Sequence, residues 1–282
     1  MAVSVIHTKP LADKYLRTKA LPTTWCPGCG LGPATGAMAR AIDQLGLDPD
    51  KVVMVTGIGC SGMIYGLFNL DGFHGTHGRA LPAATGIKLT NPELTVIVPM
   101  GDGDCAAIGG NHFIHAARRN IDLTAIIMAN QTYGMTGGQY SPLTPLGSHT
   151  TTSTYGHIEP SFDMCQLAIA AGATYVARGT VYHLQELIDL IARGIAHKGF
   201  SVIEVLAPCP VQFGKLNDKP TPTEMYKDLM KMTISVRQAQ ARPEAAQGRL
   251  LRGVLYEADK PELTEQYDAL IKEAQAQKAS HV

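Results

Sequence analysis

The chain has 282 residues, enough for one large α/β domain or two small ones, since domains average about 100–200 residues. Hydrophobic residues make up 45% and charged residues 17%, with 29 Gly and 17 Pro, which excludes a charged disordered chain, a coiled coil and a collagen. Lys plus Arg (24) balances Asp plus Glu (24) and no arm carries a basic run, so the footprint of a general nucleic-acid binder is missing. No apolar stretch reaches the roughly 18 residues of a membrane span, and the N-terminal residues lack a signal-peptide core and cleavage site. The expected protein is soluble and cytoplasmic, with no nucleic acid and no membrane among its partners.

In chain order, residues 1–20 read as an N-terminal arm. Apolar residues recurring at three- and four-residue steps predict helices over 33–45, 108–120, 161–171 and 184–197. Between them lie short, mostly β-branched, non-alternating runs at 51–56, 94–100, 123–130, 174–177 and 201–206, the pattern of strands buried on both faces of a parallel sheet. The expected fold is a doubly wound, mostly parallel α/β sheet. Residues 21–216 would form this domain. From about residue 217 the composition turns charged and helix-favouring, and 217–282 reads as a helical appendage that packs on a partner.

Ligands of such sheets bind outside the carboxyl ends of the strands. The segments there are Gly57-Ile58-Gly59-Cys60-Ser61, Gly101-Asp102-Gly103-Asp104-Cys105, Asn130-Gln131-Thr132-Tyr133-Gly134-Met135 and Ala207-Pro208-Cys209-Pro210. Gly-Asp-Gly at a strand end lets the backbone approach phosphate oxygens while the carboxylate offers a hard oxygen to a divalent cation. Asn130, ending the next strand, adds an amide oxygen and turn carbonyls. Either residue alone reads equally as a helix cap or an Asx turn; the pair in this context resembles the thiamine-diphosphate motif, in which Mg²⁺ clamps the diphosphate. That resemblance implies Asp102, Asn130 and the carbonyl of Thr132 as Mg²⁺ ligands, with Gly103, Asp104, Gly134 and Met135 lining the cofactor.

Six cysteines are too few for a disulfide scaffold, and Cys26-Pro27-Gly28-Cys29 makes a tight turn that points two thiolates at one metal centre. Zinc and an iron–sulfur cluster both suit that turn. Cys165 falls among apolar residues of a predicted helix and reads as a small buried hydrophobe. Cys105 follows the Gly-Asp-Gly-Asp turn, where a cluster would crowd the diphosphate. Cys60 and Cys209 lie in Gly- and Pro-rich loops free to approach the first pair, so the expected ligand set is Cys26, Cys29, Cys60 and Cys209.

Trp25-Cys26-Pro27-Gly28-Cys29-Gly30, Gly57–Ser61, His77-Gly78-Arg79, Gly101–Asp104 and Tyr133-Gly134-Met135-Thr136-Gly137-Gly138-Gln139 together resemble the β subunits of the 2-oxoacid:ferredoxin oxidoreductases, over about residues 20–215. The resemblance implies thiamine diphosphate, Mg²⁺ and one 4Fe-4S cluster here, with Ile58, Gly59, Ser61 and His77 touching the cofactor. It also decides Cys60 over Cys105 as a cluster ligand bridging both sites. It implies coenzyme A-dependent oxidative decarboxylation of a 2-oxoacid to an acyl-CoA and CO₂, electrons leaving singly to ferredoxin, reversible as reductive carboxylation. An α subunit would carry the pyrimidine-binding and 2-oxoacid-binding regions and the glutamate that activates the cofactor, with or without further small subunits.

The 133–142 string is most similar to members acting on 2-oxoglutarate, with branched-chain and aryl 2-oxoacid members close behind. Some relatives carry a lysine where this chain has Gly137, and one is possible at Met63. The sequence leaves the roles of His74, Arg79 and Cys105 open. Two rivals also stand: a non-oxidative thiamine-dependent decarboxylase subunit with structural zinc, and a zinc-stapled nucleotide-binding scaffold without turnover.

Overall fold

The computed structural model describes residues 10–219 and 221–279; residues 1–9 of the expected arm, and Pro220 and 280–282 of the expected appendage, lie outside them. The chain runs α1 (Pro10–Tyr15), α2 (Leu31–Gln44), β1 (Val52–Thr56), β2 (Asp71–His74), α3 (Ala80–Thr90) and β3 (Thr95–Gly101). A π-helical turn over Gly103–Ile108 leads into α4 (Gly110–Arg119), then β4 (Leu123–Ala129), α5 (Met164–Ala171), β5 (Tyr175–Thr180), α6 (Leu184–Ala196) and β6 (Phe200–Leu206). The last part holds α7 (Pro222–Met232), β7 (Thr233–Ser235), α8 (Val236–Ala241), β8 (Leu250–Glu257) and α9 (Leu263–Ala279).

The eight strands form one sheet in the order β2-β1-β3-β4-β6-β5-β8-β7. Every pairing from β2 to β5 is parallel, as expected, and β8 pairs antiparallel with β5. β1, β4, β5 and β6 are buried along their whole length, because α2 with α6 and α3 with α4 and α5 cover the sheet from its two sides. Two-sided burial explains why these strands show no alternation in sequence.

The five expected strands and four expected helices are all present, and the differences lie at the edges. β2 reads Asp-Gly-Phe-His and is exposed throughout, so it has no apolar signature. The helix expected from 108 begins at Gly110 because the π turn occupies the residues before it; such turns are frequent at functional sites. Residues 217–279 are helical in part, but β8 joins the sheet; its apolar residues are interrupted by Arg252-Gly253, which conceals the strand in a segment judged on composition.

A buried ion pair ties β5 to β6. Arg178 and Glu204 are cross-strand neighbours, each 4% exposed, with Nε to Oε2 at 2.5 Å. Arg178 also donates to Asp163 Oδ1 at 2.7 Å, the carboxylate that caps α5, and to the Leu251 carbonyl of β8 at 3.3 Å. Arg178→Met would leave the Glu204 charge buried and uncompensated, so a loss of about 3–5 kcal/mol is expected. Arg178→Met with Glu204→Leu should recover most of it in a denaturant double-mutant cycle; equal losses in single and double variants would show that the pair is not the source.

Candidate active site

Four loops at the carboxyl ends of β1, β3, β4 and β6 converge, although their residues are far apart in sequence. Asp102 leaves β3 and caps the π turn: its Oδ1 accepts the Gly103 N–H at 2.9 Å. Its Oδ2 accepts the Gln131 N–H at 2.9 Å and the Ser141 hydroxyl at 2.8 Å. The side chain is buried, and burial pushes its carboxyl up to about 6 against the pull of these donors. Asn130 Oδ1 accepts the Thr132 N–H at 3.2 Å. Both simple roles, cap and Asx turn, are therefore present. They coexist with a shared cleft lined by Asp102, Asn130 and Thr132 together with Ile58, Gly59, Ser61 and His77.

Asp104 lines the same cleft. Its Oδ1 accepts the Gly78 N–H at 2.6 Å, with His77 Nε2 at 3.6 Å, while among the described residues its buried Oδ2 has no hydrogen-bond partner. Burial raises its pKa. A Cβ on Gly103 would run into the Tyr133 ring, so only glycine lets the two loops close to this distance. The donors offered by Asp102, Asn130 and the Thr132 backbone are all hard oxygens, which suits Mg²⁺, and an orphaned buried carboxylate oxygen suits a site built to meet a polar ligand. The cleft is small, about 60 Å³; a larger apolar cavity of about 500 Å³ lies between the Asn130 loop and α7. The grouping of carboxylates, amide and histidine singles out the smaller one.

His74 and His77 separate in role. His74 Nδ1 lies 2.9 Å from Thr56 Oγ1 and its ring stacks on Tyr65 at 4.7 Å, which fixes the β2 edge. His77 faces the cleft, edge-on to Tyr133 at 6.0 Å. Arg79 donates to the Gly78 and Ile108 carbonyls and steadies the loop that carries His77.

The cysteine loops are joined by backbone and indole hydrogen bonds. Trp25 Nε1 donates to the Cys60 carbonyl at 2.9 Å, and the Gly30 N–H donates to the Pro208 carbonyl at 3.0 Å, bringing Cys26 and Cys29 to the loops of Cys60 and Cys209. Gly28 turns the motif at φ +78°, and a Cβ there would also collide with Pro222 at the start of α7. A Cβ built on Gly134 would lie 3.5 Å from the Cys209 sulfur and 3.6 Å from that of Cys60, so both face the Tyr133–Gly134 turn. Burial first, and then the other three thiols, push Cys29 up to about 11; burial with Cys209 and Cys26 does the same to Cys60. Cys105 is fully buried and its thiol is raised by burial and by Asp104 and Asp102, with no contribution from a cysteine. Cys165 lies beside Glu204, its Sγ 3.4 Å from Oε2. Among the described residues, the group of three or more ligating atoms within 4.8 Å of one another is Asp163, Cys165 and Glu204, so no three of the four loop sulfurs are that close.

Ser141, Thr144 and the left-handed Gln131, at φ +66°, escape sequence reasoning. The Ser-Pro-Leu-Thr-Pro segment signals only a turn, and nothing in it points back to Asp102.

Residues 57–205 match the family described as thiamine pyrophosphate enzyme, C-terminal TPP binding domain. The 2-oxoglutarate synthase subunit KorB of Methanocaldococcus jannaschii is 45% identical over 267 residues, covering 94% of this chain and 99% of its own. That of Archaeoglobus fulgidus is 53% identical over 215 residues, 76% of this chain and 78% of its own. The chain belongs to the β subunits of the 2-oxoacid:ferredoxin oxidoreductases. A solved 2-oxoglutarate:ferredoxin oxidoreductase from Magnetococcus marinus, with 2-oxoglutarate, coenzyme A and succinyl-CoA bound, superposes with a TM-score of 0.84 at 30% identity, covering 97% of this chain and 94% of that one. This β subunit is thus a thiamine-diphosphate-binding oxidoreductase subunit that works in a complex with partner subunits. The thiamine family match takes in the Asp102 and Asn130 loops and Cys60, whereas Cys26, Cys29 and Cys209 flank it on either side.

Proposed function

We propose that this β subunit carries thiamine diphosphate, Mg²⁺ and one 4Fe-4S cluster in an enzyme that converts 2-oxoglutarate and coenzyme A to an acyl-CoA and CO₂, passes the electrons to ferredoxin, and runs in reverse as a reductive carboxylase. The observation that carries the reading is the loop after β1: Gly59 and Ser61 line the cleft while Cys60, between them, belongs to the coupled set of thiols. One loop therefore serves both centres, as a short electron path demands.

Thiamine diphosphate, when bound, supplies the electron sink that lets a 2-oxoacid lose CO₂, and a four-iron cluster supplies a one-electron relay. Asp102, Asn130 and the Thr132 carbonyl would hold Mg²⁺. Gly103, Asp104, Gly134 and Met135 would line the cofactor, with Ile58, Gly59 and Ser61 opposite. His77 is the side chain of this group placed to hold a proton or a polar substrate atom at its Nε2. Cys26, Cys29, Cys60 and Cys209 would hold the cluster. A tetrahedral zinc is the alternative occupant of four thiolates; the thiamine site that shares the Cys60 loop favours the electron-carrying cluster.

In this reading residues 21–216 carry the working site and 1–20 are an arm, while 217–282 join the same sheet through β8 and reach over the cysteine turn through Pro222 of α7. 2-Oxoglutarate is supported by the relatives named 2-oxoglutarate synthase and by the ligands of the solved neighbour. Position 137 is glycine and position 63 methionine, so the distal carboxylate must find its cation on the partner subunit. The same partner would supply the activating glutamate. Among the described residues no helix is long and apolar enough to cross a membrane, consistent with a cytoplasmic, ferredoxin-linked enzyme.

Metal and cofactor content tests the proposal. The enzyme purified anaerobically with its partner subunits should contain about four irons, one thiamine diphosphate and one Mg²⁺ per β subunit, and give a cluster signal in electron paramagnetic resonance after reduction. One zinc without iron would remove the electron relay and leave a non-oxidative decarboxylase.

A further inference from the structure

Neither Asp102 nor Asn130 holds itself in position. The chain between β4 and α5 folds back beneath them, and two fully buried hydroxyls, Ser141 and Thr144, face the metal loops. Ser141 Oγ donates to Asp102 Oδ2 at 2.8 Å and accepts the Leu143 N–H at 3.3 Å. The Ser141 N–H donates to Thr144 Oγ1 at 2.8 Å, and that hydroxyl donates in turn to the Gln131 carbonyl at 2.7 Å. Ser161 Oγ donates to the Thr144 carbonyl at 2.6 Å, closing the turn from below. Gln131, the residue between Asn130 and Thr132, sits at φ +66°, where a side chain is disfavoured unless its surroundings enforce it.

We propose that Ser141 and Thr144 are positioning residues for the divalent cation, Ser141 setting the Asp102 carboxylate and Thr144 setting the Asn130–Thr132 turn. The inference rests on the reading of Asp102, Asn130 and the Thr132 carbonyl as the Mg²⁺ ligands. Each hydroxyl has one hydrogen, and each is committed, so the direction of both bonds is unique. Oδ2 of Asp102 already receives two donors, whereas Oδ1 receives only the Gly103 N–H. Oδ1 therefore keeps a lone pair that Asp102 would offer to the cation. Thr144 grips the Gln131 carbonyl while Asp102 grips the Gln131 N–H, so the peptides on both sides of the left-handed residue are fixed. That holds the Asn130 amide and the Thr132 carbonyl on one cleft. Without the Thr144 hydroxyl the Gln131 carbonyl loses its side-chain partner, and the turn can relax away from the ligand geometry.

Mn²⁺ is the probe, titrated in the presence of excess thiamine diphosphate into the complex depleted of divalent cation but retaining its iron, and followed by electron paramagnetic resonance. Ser141→Ala and Thr144→Val should each raise its dissociation constant about 10- to 100-fold, the range for lost outer-shell partners. Thr144→Ser, which keeps the hydroxyl, should restore most of the affinity. In steady state Ser141→Ala should raise the KM for Mg²⁺ far more than it lowers kcat at saturating Mg²⁺, with iron content and subunit assembly as in wild type. Dissociation constants within twofold of wild type in both hydroxyl-free variants would overturn the proposal, as would a Thr144→Ser variant as weak as Thr144→Val. Wild-type complex that takes up no stoichiometric Mn²⁺ would instead overturn the metal-site reading itself, and the positioning role with it.

Discussion

Cys60→Ser is expected to strip the iron–sulfur cluster from the enzyme and reduce ferredoxin-linked activity to background, whereas Cys105→Ser should leave both in place. Cys60 is half-buried among the thiols of Cys26 and Cys209, its backbone carbonyl held by Trp25. Thiols this crowded and desolvated resist ionising, and a metal centre that binds all of them as thiolates removes the cost. Loss of one of four ligands leaves the centre open to solvent. Cys105 is fully buried beside two carboxylates, so its thiol is raised by burial and by Asp104 and Asp102, with no contribution from another cysteine. Iron content, and the cluster signal after reduction, decide the matter; a Cys105→Ser variant without iron beside a Cys60→Ser variant that keeps it would reverse the assignment.

The second large effect concerns Asp102. Asp102→Asn is expected to lower activity by more than about 100-fold, beyond the range of outer-shell changes, because the charge that neutralises the cation is gone. The same side chain has a signature without metal. Its carboxyl titrates at about 6 rather than the ordinary 3.8, since burial disfavours the anion. The folded state thus binds more protons than the unfolded state between these values. Its stabilising contribution is fully present below the ordinary value and is lost as pH rises toward 6. The thermal midpoint of metal-free wild type should therefore fall between pH 4 and 6 relative to metal-free Asp102→Asn, and Mg²⁺ should cancel the difference above pH 6. Parallel metal-free midpoints for the two proteins across that range would show that the carboxyl is not raised, and an equal Mg²⁺ shift in both would place the cation elsewhere.

Much of the fold was readable because two-sided burial writes itself plainly. Val52–Thr56, Leu123–Ala129 and Phe200–Leu206 are mostly apolar, non-alternating runs, and a parallel sheet covered on both faces is the setting in which such runs are stable. β2 and β8 were not readable. One is an exposed edge whose residues need no particular polarity, and the other gains its place by pairing with β5, a long-range contact with no local signature.

The candidate site divides in the same way. The residue types, Asp102 and Asn130 at strand ends as the proposed ligands of a hard cation and the Cys26-Pro27-Gly28-Cys29 turn before α2 as part of a proposed soft centre, are local chemistry and were legible in the sequence alone. Family membership follows from the order of those motifs. What only the tertiary structure decided is how the groups meet. Cys60 and Cys209 face one glycine turn, Asp104 keeps a buried oxygen unpaired among the described residues, and Ser141 and Thr144 hydrogen-bond the Asp102 and Gln131 loops. The reason is physical: a strand end dictates which residue can offer a ligand atom, but the direction of that atom is set by hydrogen bonds arriving from other loops, and those partners exist only once the sheet has brought the loops together.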